Sequence, residues 1–200
     1  GDRSFTARPG GPAGASVSNT LATFALRLPG VVSRQDGTAR ANQVRVHGVP
    51  TGFWRLAPRP TPVALEADSV ALNSALARHL DAKEGDALVL RIHKPSALSQ
   101  DAVISPRDGA SVALRVRVAR ILSPSEWGDF SAEAGSMPPF NLFIDHAHLA
   151  RAAGLEGRAN LALLGRLPAS AASETPDAWV TQGFSLDDAE LEVQIGRAHV

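Results

Sequence analysis

Between Ser111 and Leu122 the sequence SVALRVRVARIL alternates with a period of two. Val112, Leu114, Val116 and Val118 fall on one side, and Ala113, Arg115, Arg117 and Ala119 fall on the other. A helix would scatter these residues around its axis, whereas a strand sorts them onto one dry and one charged face. The chain must therefore build a sheet with a packed side, and its other elements have to cover that side.

Several further elements follow from local pattern. Residues 23–28 read as a short strand ending at Pro29-Gly30. Asp36-Gly37 supplies the positive φ of a tight turn, and residues 43–49 alternate as a half-buried strand. Residues 51–62 hold Phe53, Trp54 and repeated prolines, which predicts neither helix nor central strand. Val70-Ala71-Leu72 is a short apolar strand, and Asn73 is a good N-cap for a helix over residues 74–81. Leu72, Leu76 and Leu80, with Ala75 and His79 beside them, would share its apolar face. Gly85-Asp86 turns the chain into a strand over residues 87–93, and Arg107-Asp108-Gly109 marks a turn before residue 111. Residues 123–139 are irregular, with Trp127, Phe130, Met137 and Pro138-Pro139. A strand over residues 141–144 then leads to Asp145, which caps a helix through Ala153, and Gly154 suits its left-handed end. Residues 160–164 form another apolar strand, so strand, helix and strand make a βαβ-like unit. Residues 70–93 repeat that layout. The mixture predicts an α+β domain, a mixed sheet with short helices.

Composition removes whole classes of function. The 20 basic residues equal the 20 acidic ones, so the positive surface of a dedicated nucleic-acid binder is missing. There is no cysteine, which excludes a disulfide scaffold, a thiolate zinc site and a cysteine nucleophile within these 200 residues. No run of about 18 apolar residues is present for a membrane-spanning helix. Neither lysine, Lys83 nor Lys94, follows a glycine as a phosphate loop requires. A Gly-X-Ser-X-Gly elbow, a Ser-X-X-Lys pair and a His-Glu-X-X-His helix are also missing, so no catalytic residue and no cofactor is assigned.

Three groups of side chains merit weighing. Asp145, His146 and His148 contain a His-X-His with a carboxylate, which would suit a metal-dependent hydrolase. Against this, Asp145 reads as an N-cap, and residues two apart on a helix face different ways. Arg115, Arg117 and Arg120 form either an anion-binding stripe or the solvated face of a sheet. Trp127 and Phe130, like Phe53-Trp54 and Phe140 with Phe143, are either core under long loops or partner anchors. With Met137, Trp127 and Phe130 are the candidate partner contacts.

Residues 70–92 (VALNSALARHLDAKEGDALVLRI), 111–122 (SVALRVRVARIL) and 138–164 (PPFNLFIDHAHLARAAGLEGRANLALL) together resemble the extracytoplasmic core domain of MacB/FtsX-like ABC transporter permeases. Residues 43–56 (QVRVHGVPTGFWRL) fit the stretch before that family's first helix. The order and spacing of the segments carry the resemblance more than any one motif. Asp81 stands where the family commonly has a helix-ending Gly, and Asp145 stands near a usual Pro; the loops 94–109 and 123–139 are longer. The chain divides accordingly into a loop-rich segment 1–35, a MacB-like core 36–167 with room for two small lobes, and a partial segment 168–194. Residues 195–200 (IGRAHV) resemble sequencing-adapter read-through, and residue 1 opens mid-segment without Met, so the expectation is a domain incomplete at both ends.

The resemblance implies a non-catalytic domain on the periplasmic or extracellular side of an inner-membrane protein. Its expected work is to couple ATP-driven movement of transmembrane helices to substrate export or release. The implied partners are a cytoplasmic ABC ATPase, a second permease copy or paired permease, and an extracytoplasmic protein. The alternative is a secreted or periplasmic binding module that uses the aromatic loops as its contact surface.

Overall fold

The computed structural model describes residues 5–6, 22–60, 63–66, 68–93, 111–133, 135 and 137–164. Its strands are β1 (Phe5–Thr6), β2 (Ala22–Arg34), β3 (Arg40–Val49), β4 (Ser69–Asn73), β5 (Ala87–His93), β6 (Ser111–Leu122), β7 (Asn141–Asp145), β8 (Arg158–Ala159) and β9 (Leu161–Leu164). Two helices, α1 (Ser74–Leu80) and α2 (His146–Ala153), follow β4 and β7 directly.

Six strands close on themselves in the order β3-β7-β4-β6-β5-β2, with β2 returning to β3. The β3–β7 and β4–β6 pairs are parallel, and the rest of the ring is antiparallel. Closure pairs both edges of every one of these strands and so removes the exposed edges of an open sheet. β9 adds a seventh strand against the first residues of β2, Ala22 facing Leu164. The domain is thus a mixed sheet with two short helices, α+β as expected, and its sheet is a barrel.

One apolar cluster joins the barrel strands to the helices. Val44, Val46, Leu72, Leu88, Leu90, Ile92, Val116, Val118, Leu142 and Ile144 are buried in it, with Leu76, Leu80, Leu149 and Ala153 from α1 and α2. The predicted caps are present: Asn73 Oδ1 accepts the Leu76 N–H at 3.0 Å, and Asp145 Oδ1 accepts the His148 N–H at 2.8 Å. Asp81 takes the left-handed conformation at the end of α1, a role in which Asp is tolerated. The helix α2 lies so close to β3 that a Cβ at Gly48 would stand 2.9 Å from Leu149 Cδ2.

The structure departs from the sequence reading in several places. The first strand does not end at Pro29 but runs from Ala22 to Arg34, within the segment read as loop-rich. β9 flanks β2 at residues 22–25 and β5 flanks it at residues 30–34, so the missing Pro29 N–H falls in the gap between them. That gap is filled by Asn160, whose side chain bonds both the N–H and the C=O of Arg27, at 2.6 and 2.7 Å. Thr51–Leu56 is a 3-10 helix: six residues free of proline suffice for it. The two strand–helix–strand units differ: β4 and β5 run antiparallel on either side of β6, so the first is not a parallel crossover, whereas β7 and β9 run parallel with β3 and β2 between them. On α1 the buried alanine is Ala77, while His79 is exposed. The Arg107-Asp108-Gly109 turn and residues 165–200 lie outside the described residues.

Candidate functional site

A second apolar layer covers one side of the barrel wall. Ala25, Val49, Ala71 and Phe143 project from β2, β3, β4 and β7, and Phe53 and Trp54 of the 3-10 helix pack onto them. Trp127 and Phe130, from the irregular stretch after β6, complete this layer. Phe53 is its hub, with ring centroids 5.0 Å from Trp54, 5.2 Å from Trp127 and 5.6 Å from Phe130. Edge-to-face packing of this kind adds to the burial of apolar area.

His47 of β3 is enclosed in the same layer. Its ring stacks on Phe143 at 5.1 Å and meets the edge of Phe130 at 5.7 Å. Nε2 is 3.3 Å from Asn141 Oδ1, and Nδ1 has no hydrogen-bond partner among the described residues. Burial lowers its pKa from 6.5 to about 4, against the opposing hydrogen bond to Asn141 Oδ1, and the charges of Arg27 and Arg45 add a smaller push in the same direction as burial.

Two buried asparagines hold the stretch after β6 in place. Asn141 donates through Nδ2 to the carbonyls of Gly128 and Phe130, at 2.9 and 2.8 Å. Asn73 donates through Nδ2 to Asp129 Oδ1 and to the Pro139 carbonyl, both at 2.8 Å. Its start is fixed by Glu126, which accepts from the Ser123 hydroxyl and N–H and from Arg120 Nη2. The Ser123 hydrogen bonds, with the Arg120 charge, hold the Glu126 carboxyl below its ordinary pKa. Farther along, Glu133 bridges Arg27 of β2 and Arg45 of β3, at 2.8 and 2.7 Å. Those two guanidinium groups lower the Glu133 pKa, the Arg27 hydrogen bond most strongly.

This arrangement separates the three candidate contact residues. Trp127 and Phe130 are half-buried in the aromatic layer, whereas Met137 is 81% exposed. Met137 stands with Pro138 and Pro139 on an open cleft of about 350 Å³, whose polar side is Arg45, Asp129, Ser131 and Glu133. The region read as a contact surface thus has an apolar underside that closes over the barrel, and an outer rim that presents one large apolar side chain.

The remaining candidate groups are dispersed. The Asp145 carboxylate is engaged by the α2 amide, and no three His, Asp or Glu side chains among the described residues converge as a metal site would need. Arg120 pairs with Glu126 at 2.7 Å, Arg117 donates to the Gly85 carbonyl at 3.0 Å, and Arg115 is exposed. His47 carries no motif in the sequence, and Asn73 is legible there only as a cap. The one signal available was a lone His and a lone Asn inside apolar strand segments, where each must find partners from elsewhere.

No protein-family model matches the chain, and no curated protein matches it. Among solved structures, the periplasmic region of MacB from Actinobacillus actinomycetemcomitans is similar, with a TM-score of 0.46 and 10% sequence identity. The likeness covers 76% of this chain, which spans 61% of the length of that one.

Proposed function

We propose that this chain is the extracytoplasmic body of an ABC transporter permease. It would pass ATP-driven movement of transmembrane helices to a substrate or partner outside the membrane. The observation that carries the reading is how the resembling segments assemble. Residues 43–56 supply most of β3 and the 3-10 helix, residues 70–92 supply β4, α1 and nearly all of β5, residues 111–122 are β6, and residues 138–164 supply β7, α2, β8 and β9. These segments account for five of the six strands in one closed ring, so they work as a single unit rather than as separate motifs.

The disposition of polar groups supports a mechanical role. Asn73, Asn141, Asp145 and Glu126 cap helices or fasten loops, and each of these carboxylate or amide groups already has backbone partners. The close-packed interior of the barrel has low compressibility and transmits strain, which suits a body that must transmit force. In this reading Met137 and the cleft rim meet an extracytoplasmic partner, with Trp127 and Phe130 bracing the rim from below. The cytoplasmic ATPase and a second permease copy act through membrane helices elsewhere in the protein.

Recovery of the complete reading frame tests the proposal. It predicts transmembrane helices flanking this region and an ATP-binding subunit encoded with it. A gene that encodes a secreted soluble enzyme would contradict it, and a stand-alone secreted gene of this domain would point to a binding module.

A further inference from the structure

One wall of the barrel is roofed by the aromatic layer; the wall formed by β5 and β6 is not. On its outer face the register sets Ala87 beside Arg117, Val89 beside Arg115 and Arg91 beside Ala113. Arg91, Arg115 and Arg117 are all exposed, and no carboxylate among the described residues pairs with any of them. Elsewhere on the barrel most strand arginines face a carboxylate, Arg27 and Arg45 pairing with Glu133, Arg34 with Asp36 and Asp86, and Arg120 with Glu126, while Arg40 at the start of β3 bonds Asn42 Oδ1. The chain as a whole carries no net charge, so this is a local concentration of cations and not a general basicity.

We propose that this face docks on an anionic lipid surface. The charge selects a negative partner, and the neighbours of the arginines select its type. Their neighbours on the face, Ala87, Val89 and Ala113, are short, so no bulky side chain shields the three arginines. The face presents no aromatic or long aliphatic anchor at its centre, of the kind that dominates stable protein–protein contacts. Three separated guanidinium groups match a layer of phosphate headgroups, which needs local positive charge but no pocket. Such docking would be weak and sensitive to salt, adequate to orient a domain already held near a bilayer. The inference stands on the sheet face alone and does not depend on the transporter reading.

Flotation of the 200-residue chain with vesicles tests it. The chain should float with phosphatidylglycerol–phosphatidylcholine vesicles at low salt, be released at about 0.5 M salt, and ignore pure phosphatidylcholine. Arg91→Gln with Arg115→Gln should lower binding about tenfold or more. Arg91→Lys with Arg115→Lys should retain most of it, as should Arg55→Gln with Arg151→Gln, which remove the same charge from exposed sites on the 3-10 helix and α2. Absence of wild-type binding, or equal binding by the double glutamine variant, would overturn the proposal. So would binding of soluble polyglutamate without binding of vesicles, which would assign the face to an acidic polypeptide.

Discussion

Asn141 donates its N–H to Asn73 Oδ1 at 3.2 Å, the same oxygen that caps α1 by accepting the Leu76 N–H. The two asparagines lie on neighbouring strands, and both side chains continue into the stretch after β6. One buried network therefore fixes the start of a helix, the start of β7 and the seat of the candidate contact region.

Asn73→Ala should lose the cap and leave Asp129, the Pro139 carbonyl and the Asn141 N–H without this partner. The expected loss is about 2–4 kcal/mol, a cap plus buried unsatisfied groups. Denaturant unfolding of the variant measures it. A change below about 0.5 kcal/mol, the range of an inert surface substitution, would contradict the network.

His47 makes stability depend on pH in a defined direction. Its folded pKa, about 4, lies below the ordinary 6.5, so the folded state favours the neutral ring. The stability it contributes is full above pH 6.5, falls as pH drops through that value toward 4, and is then exhausted. A shift of this size corresponds to about 3 kcal/mol. The carboxylates with lowered pKa, Asp36, Asp86, Glu126 and Glu133, act in the same direction but mainly below pH 4.5. His47→Gln should therefore flatten the profile between pH 6.5 and 4.5. An imidazole signal of His47 titrating near 6.5 would refute the burial argument.

Gly128 occupies a position that no other residue fits. A Cβ there would stand 2.6 Å from the Leu122 carbonyl oxygen and 2.9 Å from that of Ser123, both backbone atoms with little room to yield. Gly128→Ala should cost about 1–3 kcal/mol, in the range of overpacking a tight site. Thermal denaturation reads the effect, and an unchanged melting temperature would show that the stretch re-seats freely.

Trp127 and Met137 should separate bracing from contact. Trp127 is half-buried against Phe53 and Phe130, so Trp127→Ala should cost about 2–3 kcal/mol, somewhat less than a fully buried aromatic. Met137→Ala should leave the melting temperature of the domain unchanged and lower transport by the complete protein. The converse pattern would reverse these roles.

The parts legible in the sequence were those fixed by near neighbours. Asn73, Asp145 and Gly154 act at caps within four residues of their partners, and the alternation after Ser111 needs only a strand to be read. Ring closure was not legible, because pairing β3 with β7 joins segments about 95 residues apart, Arg45 facing Asn141, and no local pattern encodes that. The length of β2 was hidden for a related reason: Pro29 is harmless only where β9 has ended and β5 has not begun. The burial of His47 has no local signal, since its cover comes from Phe130 and Phe143, more than 80 residues away. The contact stretch was visible as an unusual loop, but its division into a braced underside and an open rim depends on two asparagines that are also distant.

The central claim, a membrane-anchored domain facing away from the cytoplasm, is tested most directly by side-specific labelling. The 200 residues contain no cysteine, so Met137→Cys in the complete protein introduces one exposed thiol into this domain at the cleft rim. The unsubstituted protein serves as background. In intact spheroplasts a membrane-impermeant maleimide should label the variant fully, and the labelled protein should sediment with the inner membrane. Labelling that appears only after the cytoplasmic membrane is permeabilised would contradict the account.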